Sequence, residues 1–95
     1  MNRFVAIGEC MTELSAAGTP DLMRVGVAGD TLNTAWYARA ALAADWTVDY
    51  VTRLGTDPFS DRIFTFLDDN GLGTGHIGRD SDRGAGLYAI SLEDG

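Results

Sequence analysis

An α/β fold built on a parallel sheet is predicted by three observations. Phe4-Val5-Ala6-Ile7 is a short run apolar on both faces and halted by Gly8, as in a strand buried within such a sheet. Two helical stretches, one alanine-rich and one amphipathic, alternate with β-rich runs. The resulting order of strand, two short extended pieces, helix, strand, helix and strand implies right-handed crossovers.

Each element has a local reason. The first strand is expected over residues 3–8. Residues 11–16 are mixed in polarity and extended, Gly18-Thr19-Pro20-Asp21 is a turn cluster, and residues 22–27 form a second extended piece. Asp30 or Thr31 is read as a helix N-cap, its side-chain oxygen taking an orphan N–H of the first turn. The helix then runs over 31–44, since Leu32 to Ala44 holds six alanines and neither Gly nor Pro. Thr47 to Thr52 is rich in β-formers and predicts a strand over 47–52. Asp57 as cap, Pro58 at the first helical position and Asp61 in the first turn open a helix over 58–70. Phe59, Ile63, Phe64 and Leu67 lie along one side of it, and Asn70-Gly71 closes it with Leu72 as the contact beyond. A short segment surrounds His76-Ile77, Arg79 to Gly84 reads as a solvated polar loop, and a strand is expected over 86–92. Glu93-Asp94-Gly95 is a hairpin-turn signal with no returning strand, so the chain is read as the front part of a longer protein.

Composition narrows the function. Ninety-five residues suffice for one small domain, and 45% hydrophobic with 22% charged residues is ordinary for a globular chain. Fourteen acidic against seven basic residues give a net charge of -7, which repels phosphate backbones and anionic membranes. All seven basic residues are Arg, so a P-loop lysine and a Schiff-base mechanism are both excluded. A single Cys (Cys10) and a single His (His76) exclude a disulfide framework and a Cys/His zinc cluster. With no signal-like segment and no apolar run near the length of a membrane span, the expected location is the cytoplasm.

Two candidate motifs fail. Gly71-Leu72-Gly73-Thr74-Gly75 puts His76 where a dinucleotide loop needs its third glycine, and it follows a helix instead of a strand. His76 with Asp80 and Ser81 has no nucleophile-elbow spacing, and a surface or packing role is the simpler reading. Val25 to Ala35 is more informative. There a turn of small residues opens onto a helix, and Gly29 lets the backbone approach a ligand closely. Asp30 accepts from hydroxyls, while Asn33 both donates and accepts, as a polyhydroxy ligand requires. By spacing alone, a sugar site and a plain helix cap both remain open. Trp36 and Tyr37 are expected to divide between core and rim, and neither implies a cofactor.

Four stretches carry a resemblance. They are Ile7-Gly8-Glu9-Cys10-Met11-Thr12-Glu13-Leu14-Ser15, Ala28-Gly29-Asp30-Thr31-Leu32-Asn33-Thr34-Ala35, Tyr50 to Ser60, and Gly86-Leu87-Tyr88. In that order and spacing the chain resembles the N-terminal third of the ribokinase-like sugar kinases, the phosphofructokinase B family, and within it the branch acting on 2-keto-3-deoxygluconate. The resemblance implies part of a three-layer α/β/α fold with part of a β-lid. It implies an ATP-dependent kinase whose sugar acid is held by Gly29, Asp30, Thr31, Leu32 and Asn33, with Tyr88 and Glu13 facing it from the lid. The family's catalytic Asp, its ATP site and Mg²⁺ belong to the C-terminal part, so no catalytic, nucleotide or metal residue is expected here. Pairing of two copies through the lid is a further implication. Family members usually have a glycine where this chain has Ala28. Gly55-Thr56-Asp57 matches a family signature, although its physical reading is a turn plus a helix cap. The alternatives are a ribokinase-like kinase for fructose, ribose or a nucleoside, and a non-catalytic sugar-binding or association module.

Overall fold

The computed structural model describes residues 2–90, so Ser91 and Leu92 of the expected final strand and the Glu93-Asp94-Gly95 turn lie outside the described residues. β1 (Arg3–Ile7) pairs in parallel with β4 (Thr47–Val51), placing Phe4 opposite Val48 and Ala6 opposite Tyr50. A parallel pair needs a long crossover. Here it contains β2 (Met11–Ala16), β3 (Met23–Ala28) and α1 (Asp30–Ala41). Thr52 alone separates β4 from β5 (Arg53–Gly55), after which α2 (Pro58–Asp69) leads to β6 (Gly78–Asp80), parallel to β5. On the way the chain makes a parallel bridge at Asp49 and Gly73, where the Gly73 N–H donates to the Val48 carbonyl at 2.7 Å and the Tyr50 N–H to the Gly73 carbonyl at 3.0 Å. A separate three-stranded sheet has β2 in its centre, antiparallel to β3 on one side and parallel to β7 (Gly86–Ile90) on the other.

The core forms where the helices cover the parallel strands. Ala6, Val48, Tyr50 and Leu54 from the strands meet Leu32 and Ala35 of α1, Ile63 and Leu67 of α2, and Leu72 just after it. Alanine at position 35 puts only a methyl group between helix and sheet, so the backbones approach closely. Trp36 of α1 meets Phe66 of α2 edge-on, with ring centroids 5.9 Å apart; Tyr37, at 75% exposed, faces solvent. Asp57 caps α2 by accepting from the Ser60 N–H at 3.2 Å. At its other end Gly71 takes φ +75° and the Leu72 N–H returns to the Leu67 carbonyl at 3.0 Å.

Four expectations are corrected. The cap of α1 is neither Asp30 nor Thr31 but Gly29, whose carbonyl accepts from the Asn33 N–H at 2.9 Å and which offers no side-chain cap. Asp30 is already inside the first turn, where its charge complements the helix dipole. The helix stops at Ala41 instead of reaching residue 44: Leu42 is extended, and the Arg39 guanidinium binds the Ala43 and Trp46 carbonyls at 2.9 and 2.7 Å, satisfying the chain outside a helix. Residues 79 and 80 are not solvated loop, because β6 pairs Arg79 with Leu54 and Asp80 with Gly55. Finally, neither Trp36 nor Tyr37 lies in the core, contrary to the expectation that one of them packs there: they are 49% and 75% exposed. Among the described residues both helices lie on the Ala6 side of β1, and Ile7 on its other side is 73% exposed.

Gly29 holds φ +149°, and a Cβ there would sit 2.7 Å from the Glu9 carbonyl oxygen. Gly29→Ala is therefore expected to lower the unfolding free energy of the full-length protein by about 1–3 kcal/mol, read from urea denaturation.

Candidate functional site

The sugar-site residues expected from sequence converge only in part. Glu13, in the middle of β2, stands opposite Tyr88 of β7 on one side and Gly26 of β3 on the other. Partners in register project to the same face of a sheet, so Glu13 and Tyr88 share a face. Glycine at position 26 leaves room beside the Glu13 carboxylate, which lies 3.7 Å from where a Cβ would stand. The Tyr88 phenol is held above its ordinary pKa, first by desolvation, then by the negative charge and hydrogen bonding of Glu13 and the charge of Asp30. Asp30, exposed at the start of α1, is thus electrostatically linked to the same face. At neutral pH this phenol is a hydrogen-bond donor beside two acceptors.

The rest of the Gly29 turn divides into exposed and packed positions. Asn33 is exposed one turn into α1. Thr31 packs its side chain on Gly8, at the end of β1. Leu32 is 1% exposed and belongs to the core, so only its backbone N–H is available to a ligand. That N–H and its neighbours in the first turn lack intrahelical partners. Gly26 and Glu9 are not singled out by sequence alone. The Glu9 carboxylate lies 3.1 Å from the place of a Cβ on Gly86, at the base of β7. Register opposite Glu13 marks Gly26, and the close approach of the β1–β2 loop to Gly86 marks Glu9; both exist only in the folded chain.

Two clefts lie elsewhere among the described residues. One, of about 550 Å³, lies between β2–β3 and α2, lined by Thr12, Val25, Val27, Arg62, Thr65 and Phe66. The other, of about 610 Å³ and more polar, adjoins the ends of β1 and β5 and is lined by Glu9, Cys10, Arg53, Asp80, Arg83 and Gly86. Neither contains Glu13, Asp30, Asn33 or Tyr88. Cys10 is buried beside the fully buried hydroxyl of Tyr50, which has no hydrogen-bond partner of good geometry. Burial pushes the Cys10 thiol up to about 11 and raises the Tyr50 phenol as well. Among the described residues, no group of three or more His, Cys, Asp or Glu side chains is placed to hold a metal ion. No described helix is long and apolar enough to cross a membrane.

The Gly55-Thr56-Asp57 turn is a hydrogen-bonded junction. Asp57 accepts from the Ser60 N–H (3.2 Å), the Ser60 hydroxyl (2.6 Å) and the Ala85 N–H (3.2 Å). The Ser60 hydroxyl in turn accepts from the Gly55 N–H at 2.9 Å. These bonds, led by that from Ser60, hold the Asp57 carboxyl below its ordinary pKa. Arg79 stacks 5.0 Å above Phe64, donates to the Gly55 carbonyl at 2.8 Å and pairs with Asp61 at 3.0 Å.

The described residues form a strand-and-helix core with a small sheet whose polar groups lie beside a glycine-led helix start. The chain belongs to the pfkB family of carbohydrate kinases, whose model matches residues 1–95. It is 44% identical over 92 residues to the 2-dehydro-3-deoxygluconokinase of Escherichia coli K12, covering 96% of this chain and 29% of that protein. Identity to the enzyme of the same name from Dickeya dadantii is 46% over 88 residues, 92% of this chain and 28% of the relative. The chain thus spans under a third of the length of these relatives. In fold it superposes on 2-dehydro-3-deoxygluconokinase of Thermotoga maritima (TM-score 0.79, 24% identity, 94% of this chain and 28% of that one). It also superposes on a fructokinase of Xylella fastidiosa with bound ATP (TM-score 0.81, 25% identity, 96% and 27%). The fold is accordingly a portion of the ribokinase-like α/β fold.

With its thiol at about 11, Cys10 of the folded protein is expected to be about 0.1% thiolate at pH 8. Its alkylation by iodoacetamide should be slow and still climbing between pH 8 and 10, where an ordinary thiol levels off; a plateau near pH 9 would contradict this burial.

Proposed function

We propose that this chain is the sugar-binding part of an ATP-dependent kinase that phosphorylates 2-keto-3-deoxygluconate. The observation that carries the reading is the meeting of Glu13 and Tyr88 at one register position of adjacent strands, within electrostatic reach of Asp30. A deoxy sugar acid presents several hydroxyls, each able to donate and accept. Glu13 and Asp30 accept from them, the Tyr88 phenol donates, and Asn33 does both. Backbone N–H groups in the first turn of α1 supply donors that cannot rotate away, and Gly29 keeps that turn free of side-chain bulk. The similarity to two 2-dehydro-3-deoxygluconokinases at 44 and 46% identity supports the keto-acid sugar over fructose, ribose or a nucleoside.

In this reading these residues bind and orient the sugar. ATP, Mg²⁺ and the group that deprotonates the attacking hydroxyl are supplied by the rest of the full-length protein, which works in the cytoplasm where ATP is at hand. Phosphoryl transfer depends chiefly on alignment and charge stabilisation, so a rigid sugar site contributes directly to rate.

The test is a substrate panel on the full-length protein, with ADP release as the readout. 2-Keto-3-deoxygluconate should give the highest kcat/KM, and Asn33→Ala should lower that value by about 10- to 100-fold through the lost hydroxyl contact. A preference for fructose, ribose or a nucleoside would reassign the substrate. Sugar binding without ADP release would favour a non-catalytic module.

A further inference from the structure

The helix cap at Asp57 reaches beyond its own helix. Asp57 Oδ2 takes the Ser60 N–H, the ordinary work of an N-cap, but Oδ1 accepts from both the Ser60 hydroxyl at 2.6 Å and the Ala85 N–H at 3.2 Å. Ala85 immediately precedes β7, whose first residue, Gly86, pairs with Met11. From that pairing the register runs on without a break: Leu87 stands opposite Thr12 and Tyr88 opposite Glu13. Because successive residues of a strand alternate between faces, a slip of one position would turn Tyr88 away from Glu13. The anchorage of Ala85 therefore bears on the site three residues further on.

The anchor is itself fixed. Gly55 is gripped from both sides, its N–H donating to Ser60 Oγ and its carbonyl accepting from Arg79. The loop before β7 presses on it so closely that a Cβ at position 55 would collide with the Arg83 carbonyl and come within 3.0 Å of Gly84 Cα. Glycine is required there by proximity. The Asp57 carboxylate also lies 3.6 Å from the place of a Cβ on Gly84. The segment 83–85 is thus seated against β5 and the start of α2, two elements anchored in the core by Leu54, Ile63 and Leu67.

We propose that Asp57 is a positioning residue that ties the entry of β7 to the core and so sets Tyr88 opposite Glu13 in the sugar-binding face. It does not touch the sugar. Its effect on function rests on the sugar site proposed above, whereas its effect on β7 does not. A capping aspartate with no further role would stabilise α2 and leave the sugar site indifferent to its replacement by another good cap. Ser and Asn are both good caps, but serine is too short to reach Ala85 and asparagine has only one acceptor oxygen.

The experiment compares the full-length wild type with Asp57→Ser and Asp57→Asn. Amide hydrogen exchange is measured over residues 85–88, alongside melting temperature and steady-state kinetics. Both variants should keep α2 protected while residues 85–88 exchange about tenfold faster or more. The KM for the sugar should rise about fivefold or more with kcat changed far less, since the site is misplaced and not removed. In the wild type, added sugar should slow exchange at residues 85–88. Wild-type exchange and KM in either folded variant would overturn the proposal, as would equal losses in kcat and KM that track melting temperature. Should neither variant fold, the wild-type measurement decides: unchanged exchange at 85–88 on sugar binding overturns it. Should the full-length protein phosphorylate no sugar, the kinase reading fails, and exchange in the sugar-free variants still tests the tie between Asp57 and β7.

Discussion

The contact on which the architecture turns is the approach of the Glu9 carbonyl to Gly29. A side chain at position 29 would lie 2.7 Å from that oxygen, so the chain leaving β1 can cross the start of α1 only because a glycine stands there. This crossing brings the end of β1, the beginning of β2 and the first turn of α1 to one place. The packing of Thr31 on Gly8 strengthens the same junction from the other side. The remainder of β2, including Glu13, is thereby delivered to the neighbourhood of Asp30 and Asn33. In this chain the constraint that builds the core also builds the candidate site.

A second junction, formed by Gly55, Asp57, Ser60 and Ala85, does the corresponding work on the β7 side of the same end of the three-stranded sheet. The two junctions are chemically unlike. The first is steric, a close approach of backbones, and tolerates little change in side-chain volume. The second is a network of hydrogen bonds to one carboxylate, held below its ordinary pKa by those bonds. It depends on charge and donor supply as well as on volume, since a Cβ on Gly55 would collide with the Arg83 carbonyl. Between them β2 and β7 lie in parallel register, even though they enter the chain far apart.

The polar cleft near the ends of β1 and β5 and the face of Glu13 and Tyr88 are neighbours, joined through Glu9 and Gly86. Crevices beyond the carboxyl ends of parallel strands are where α/β folds commonly bind ligands. The sugar-binding face proposed here stands above such a crevice and is carried by a different sheet.

Much of this is legible in the residues, for reasons that are local. α2 declares itself because Asp57, Pro58, Asn70 and Gly71 act within a turn of where they stand, and Ile63 and Leu67 mark the buried stripe. The glycine-led turn before α1 is visible as composition. Its cap is not, because a side-chain oxygen from Asp30 or Thr31 is the usual solution, whereas here the backbone of Gly29 closes the first turn. The end of α1 is hidden because alanine favours continuing, and only Arg39 reaching the Ala43 and Trp46 carbonyls satisfies the chain otherwise. Arg79 reads as a loop residue since nothing adjacent to it in sequence reveals Phe64, Asp61 or the Gly55 carbonyl. Local chemistry, then, dictates the alternation of elements, the caps made within one turn and the residue types suited to a polyol. Long-range packing alone settles that Glu13 faces Tyr88, that Leu32 belongs to the core and that Asp57 reaches Ala85. Those outcomes depend on strand register and distant contact, which no short stretch of chain encodes.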